Sequence, residues 1–107
     1  MKVYHWNPET DGKLNAENFK KKLERMGYEV QGYTYYPNTA FEPHYHTCDK
    51  IDAILKGRFQ VNIDGSTLIL KPGDYIQVPA NKIHAAKVVG EESVVSLDAI
   101  KRASQAI

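Results

Sequence analysis

The chemistry-bearing residues of this chain are His44, His46 and His84, with Lys50 beside them. In His44-Tyr45-His46 the two imidazoles fall one residue apart, so on a β-strand they point to the same face. Two imidazoles on one face can hold one cation, and a third from a neighbouring strand, His84, closes the set. Lys50 puts an ammonium close to where such a site would want a carboxylate. Asp52 lies two residues further on and shares that face of a strand, so an ion pair between the two is one expectation. Glu42 is a second candidate partner for the lysine. Cys48 and Asp49 fall in a predicted turn and are weaker candidates for a fourth ligand. His5 lies far from the other histidines in sequence, next to Trp6, and is expected to pack or to face solvent.

The elements that must position these residues can be read from pattern and turn chemistry. One helix is expected over about 15–26. Asn15 is its cap, Leu14 and Phe19 are placed as a hydrophobic staple, and Gly27 is its stop. Ala16, Phe19, Leu23 and Met26 form its apolar stripe, and Lys20, Lys21, Lys22, Glu24 and Arg25 its solvated face. After Gly27 the period changes to two. Val30 to Tyr36 reads as a strand, with Tyr33, Tyr35 and Tyr36 half-buried or lining a ligand-binding mouth. Further strands are expected at about 42–46, 50–55, 58–63, 67–70, 75–78, 84–89 and 93–98. Asp64-Gly65 marks a two-residue hairpin, and Lys71-Pro72-Gly73-Asp74 a type II turn. Many short, evenly spaced strands predict an antiparallel sandwich or barrel. The last residues, 102–107, are expected to fray.

At 107 residues one domain, 1–107, is expected. Hydrophobic residues make up 42% and charged residues 25% of the chain, within the range of soluble globular proteins. A formal charge of +1 gives no electrostatic case for nucleic acid or for an anionic membrane surface. With one cysteine, Cys48, no intrachain disulfide is available. The N-terminal residues carry no apolar run of signal-peptide length, and a cytoplasmic protein is expected.

These residues resemble the cupins, small double-stranded β-helix (jelly-roll) barrels with two sequence motifs. His44, His46 and Gly57 match the first motif, and Gly73, Pro79 and His84 match the second; the resemblance covers about 40–98. Asn38 and Asn81 stand where the family has glycine, and asparagine is among the few other residues that tolerate a left-handed backbone. Val88 replaces the closing asparagine of the second motif. Lys50, after Thr47, Cys48 and Asp49, occupies the place of the family's glutamate.

The resemblance implies an all-β cupin barrel with one N-terminal α-helix. It also implies a divalent metal (Zn, Fe, Ni, Mn or Cu) on His44, His46 and His84, with no carboxylate in fourth place. An ammonium about 4 Å from a dication would repel it by several kcal/mol even at an effective dielectric of ~20. Three neutral imidazoles still hold such metals and leave positions open for water or substrate. A small polar metabolite in the barrel mouth is the expected ligand, and a dioxygenase or isomerase the expected enzyme class. Lys50 is then a candidate to hold an anionic group or move a proton, and a homodimer is expected. The rivals are a binding or sensing module without chemistry, and a metal-free structural dimer.

Overall fold

The computed structural model describes residues 1–102, so most of the tail expected to fray lies outside the described residues. In chain order the elements begin with β1 (Tyr4–His5), α1 (Pro8–Asp11) and α2 (Ala16–Arg25). The strands then run β2 (Tyr28–Tyr35), β3 (Ala40–His44), β4 (Lys50–Lys56), β5 (Arg58–Ile63) and β6 (Ser66–Leu70). β7 (Asp74–Val78), β8 (His84–Val89) and β9 (Val94–Lys101) complete the order. One sheet has the order β1-β7-β4-β9-β2 and the other β3-β8-β5-β6, and every pairing is antiparallel. The two sheets face each other as the walls of a β-barrel, the fold expected from the strand pattern.

The expectation of one N-terminal helix is corrected to two. α1 is a single turn: Pro8 sits at its start, and the Asn7 side chain accepts a hydrogen bond from the Glu9 amide at 3.0 Å. The longer helix forms as its sequence requires. The Asn15 side-chain oxygen accepts from the Asn18 amide at 2.8 Å, and Phe19 and Leu23 are fully buried. They pack on the outer face of the five-stranded sheet, with Tyr28, Ile51, Ala53, Tyr75, Leu97 and Ala99. The staple residue Leu14 joins this cluster, whereas Ala16 of the predicted stripe is exposed.

The five-stranded sheet is therefore buried on both faces, which explains the unbroken burial of residues 51–54. Alternate residues on its inner side meet Phe59, Val61, Ile63, Ala86 and Val88 of the other sheet, with Ile54, Ile76, Val78 and Val94. Val88, at the position of the family's asparagine, is thus a core side chain, and its amide donates to the Thr39 carbonyl.

The turns carry the strain that the spacing implied. Asn38 and Asn81 both have left-handed backbone, with φ of 71° and 65°, so asparagine does serve at both glycine positions. Asp64 and Gly65 take positive φ at the β5–β6 hairpin, and Asp74 N–H closes the Lys71–Asp74 turn on the Lys71 carbonyl at 2.9 Å. Gly57 has φ of 80°, and a Cβ there would fall 2.5 Å from the Ser93 carbonyl oxygen. Only glycine fits between β4 and β5 at that point.

Candidate functional site

His44 ends β3 and His84 begins β8, and the antiparallel register sets them directly opposite each other. His46 follows two residues after His44, its strand end fixed by the Asn81 amide donating to the His46 carbonyl at 2.6 Å. The three rings converge, with centroids 4.4 Å apart for His44–His84, 4.9 Å for His44–His46 and 5.3 Å for His46–His84. One ring nitrogen from each lies within 4.8 Å of the others.

Two of the rings are held by backbone two residues upstream, His44 within β3 and His84 from the turn that leads into β8. His44 Nδ1 lies 2.6 Å from the Glu42 carbonyl oxygen and His84 Nδ1 2.9 Å from the Lys82 carbonyl oxygen. A carbonyl only accepts, so each Nδ1 carries the proton and donates, which leaves Nε2 as the free lone pair. Burial holds His46 and His84 below the usual imidazole range; for His46 the Lys50 ammonium is the next cause. Neutral rings with fixed tautomers are the ligand form of histidine. Nitrogens sharing one ion at about 2.1 Å sit about 3.4 Å apart in a tetrahedron, so each ring need close by only ~1 Å. This donor set fits a divalent metal.

The histidines open into a cavity of about 140 Å³, whose wall also includes Tyr35, Phe41, Lys50, Asp52, Phe59 and Asp98. One side of it is aromatic: Tyr35, Phe41 and Phe59 pack together with ring centroids 5.0 to 6.2 Å apart. The charged part of the wall, Lys50, Asp52 and Asp98, comes from β4 and β9.

Here the expected partner of Lys50 is corrected. Its ammonium lies 3.7 Å from Asp98 Oδ2, and the ion pair is with Asp98 on the neighbouring strand, not with Asp52 or Glu42. Asp98 also accepts from the Tyr35 hydroxyl on Oδ2 and from the Ser96 hydroxyl on Oδ1, both at 3.3 Å. Burial, and then the Asp98 and Asp52 charges, push the Tyr35 phenol far above its usual range, so it stays a neutral donor. Asp52 is only 8% exposed, and burial followed by the Asp98 charge raises its carboxyl to about 6. Among the described residues the convergent group is His44, His46 and His84 alone, so Asp52 is not a fourth ligand.

Neither turn candidate fills that place. Asp49 Oδ1 accepts from the Ala80 amide at 2.8 Å and ties its loop to the second motif, and Cys48 is a half-buried free thiol outside the triad. His5 is exposed and pairs with Asp74 at 2.6 Å, away from the cavity. Asp98 was missed from sequence, and its signal lay in the alternation of the last strand: Val94, Ser96 and Asp98 share the inward face.

The chain is thus an antiparallel two-sheet β-barrel in which three histidines that could hold a metal ion converge on one cavity. The family profile of the cupin domain matches residues 33–100, and the chain belongs to the cupins. Solved structures agree on the fold. A conserved protein of unknown function from Streptococcus pyogenes is 23% identical over 73% of this chain and 68% of its own length, with a TM-score of 0.61. KdgF from Halomonas sp. is 22% identical over 73% of this chain and 82% of its own, with a TM-score of 0.59. The DMSP lyase DddQ from Ruegeria pomeroyi is 18% identical over 76% of this chain and 41% of its own, with a TM-score of 0.64. No curated protein matches the chain. Among the described residues no helix is long and apolar enough to cross a membrane.

Proposed function

We propose that the protein binds a divalent metal through His44, His46 and His84 and acts on a small polar metabolite in the cavity beside it. The observation that carries this reading is the convergence of three ring nitrogens within 4.8 Å, two of the rings bonded through Nδ1 to backbone carbonyls two residues upstream. When bound, the metal supplies a Lewis acid, or an oxygen-binding centre if it is redox-active, with coordination positions left open by the three-ligand set. The chain's own residues do the rest. Tyr35, Phe41 and Phe59 exclude water from one side of the ligand, and Tyr35 presents a neutral hydroxyl. Lys50 presents an ammonium whose charge Asp98 offsets in the ligand-free state, and which can be shared with an anionic group of the ligand.

An enzyme of this description is an oxygenase or an isomerase. The protein works as a homodimer in the cytoplasm on this reading, as one domain. The neighbour named as a DMSP lyase lends support only at the level of the barrel, since its identity is 18%.

Elemental analysis of protein purified without a metal-chelating tag tests the reading. About one divalent ion per chain is expected, falling below a tenth in the His44→Ala, His84→Ala double variant. A wild-type chain that carries no metal and takes none up on titration sinks the proposal.

A further inference from the structure

The space beside the histidines does not end at Lys50. A second cavity, of about 240 Å³, shares His46, Lys50 and Asp98 with the first and runs out along Glu29, Gln31 and Tyr33 of β2. Those three side chains alternate along the strand and so lie on one face of the sheet, and all three are exposed. The outer cavity is thus the open end of the histidine chamber. By size the inner chamber takes only part of a ligand. Its volume of about 140 Å³ is below the about 300–1,000 Å³ of ordinary ligand pockets, and the outer cavity brings the whole into that range. The Tyr33 ring stacks on Tyr35, with centroids 6.2 Å apart and planes 9° from parallel, so the aromatic wall of the chamber continues outward. The Tyr33 hydroxyl donates to Gln31 Oε1 at 2.7 Å, and among the described residues both N–H groups of that amide are left for a ligand. Charge divides the two ends. Glu29 and Lys50 both pair with Ile100, from either side, so their strands lie two spacings apart, about 10 Å.

We infer that the site takes a two-part ligand, an extended hydroxy acid with one carboxylate. Its acid end lies between the histidines and Lys50, and its uncharged, hydroxylated tail lies along Gln31 and Tyr33. The inference deepens the metal-site reading and rests on it. The acid end goes inward because the Lys50 ammonium and a metal on the histidines both favour an anion there. The tail is a hydroxylated one because a hydroxyl both donates and accepts. It can take a hydrogen bond from the Gln31 amide and give one to the Glu29 carboxylate, whereas an ammonium cannot accept from Gln31 and a second carboxylate is repelled by Glu29. The face of Tyr33 supports the carbon chain between those groups. Gln31, Tyr33 and Glu29 are then specificity-determining residues: they set the length of the ligand and reject diacids without touching the ion.

The test uses the full chain loaded with zinc and calorimetric titration with three probes. Glycolate is an acid end alone, gluconate adds a hydroxylated tail, and the tail of glucarate ends in a second carboxylate. Gluconate is expected to bind about tenfold tighter than glycolate, the worth of one or two net hydrogen bonds. Glucarate should bind about threefold or more weaker than gluconate at low salt, and Glu29→Gln should close that gap. In a Gln31→Ala, Tyr33→Ala double variant that still carries zinc, the ratio of gluconate to glycolate affinity should fall to about two or less. Equal binding of glycolate and gluconate by wild type, binding of neither, or a ratio that survives the double variant overturns the inference and leaves the metal site standing. Rejection of glucarate that is absent in wild type, or unchanged in Glu29→Gln, does the same. If sedimentation shows the double variant separating a wild-type dimer while the ratio holds, a second copy covers this face of β2 and the inference falls. No bound zinc overturns both readings.

Discussion

Replacing Asp52 by asparagine is expected to make the protein more stable at neutral pH. The carboxyl is raised from an ordinary 3.8 to about 6, chiefly by burial and then by the Asp98 charge. The native state therefore binds more protons than the unfolded chain between those two values. Stability from this group is complete below about pH 3.8 and is lost as pH rises through about 6. A shift of about two units at ~1.4 kcal/mol each puts the loss at pH 7.5 at about 3 kcal/mol. Asparagine keeps the shape, has no charge to bury, and can donate to Asp98. Urea denaturation of both proteins at pH 4 and pH 7.5 reads the difference. The variant should be more stable by about 2–3 kcal/mol at pH 7.5, and the gap should shrink by most of that amount at pH 4. A variant no more stable than wild type at pH 7.5, or a gap independent of pH, would refute the view of Asp52 as a buried acid crowded by Asp98.

Lys50→Glu should tighten zinc binding at pH 8 at least tenfold in competition titrations, since it removes a cation from beside the histidines and adds a carboxylate ligand; an unchanged Kd would mean that position 50 does not face the ion. Gly57→Ala should lower the thermal midpoint by several degrees or prevent folding, because its Cβ meets the Ser93 carbonyl in a left-handed backbone; a midpoint within a degree of wild type would contradict that geometry. Asn15→Ala should cost about 1 kcal/mol in urea denaturation by leaving the Asn18 amide uncapped, and Asn15→Asp should restore it.

The barrel was legible in the sequence because its signals are local. Strand alternation, the Asp64-Gly65 and Pro72-Gly73 turns and the Asn15 cap each act over a few residues, and each is present in the structure at its place. The histidines were legible for the same reason: His44 and His46 need only a strand, and His84 needs only the family spacing. What escaped was cross-strand. Asp52 shares a strand with Lys50 and is the obvious partner by sequence, yet the ammonium goes to Asp98, which the register alone brings alongside. The short helix after Asn7-Pro8 was also missed, although both residues are helix-start signals. A single turn offers no apolar period to find, and none of its residues is buried.

His44 and His84 draw their orientation from backbone carbonyls two residues upstream, so nothing on the far wall of the cavity is needed to aim them. The grip on an ion and the electrostatics around it are then separately inherited. A lineage can exchange a glutamate for a lysine on one sheet, and recruit an aspartate on the neighbouring strand to balance it, while the donors on the other sheet stay aimed. Such a barrel can try new chemistries one wall at a time.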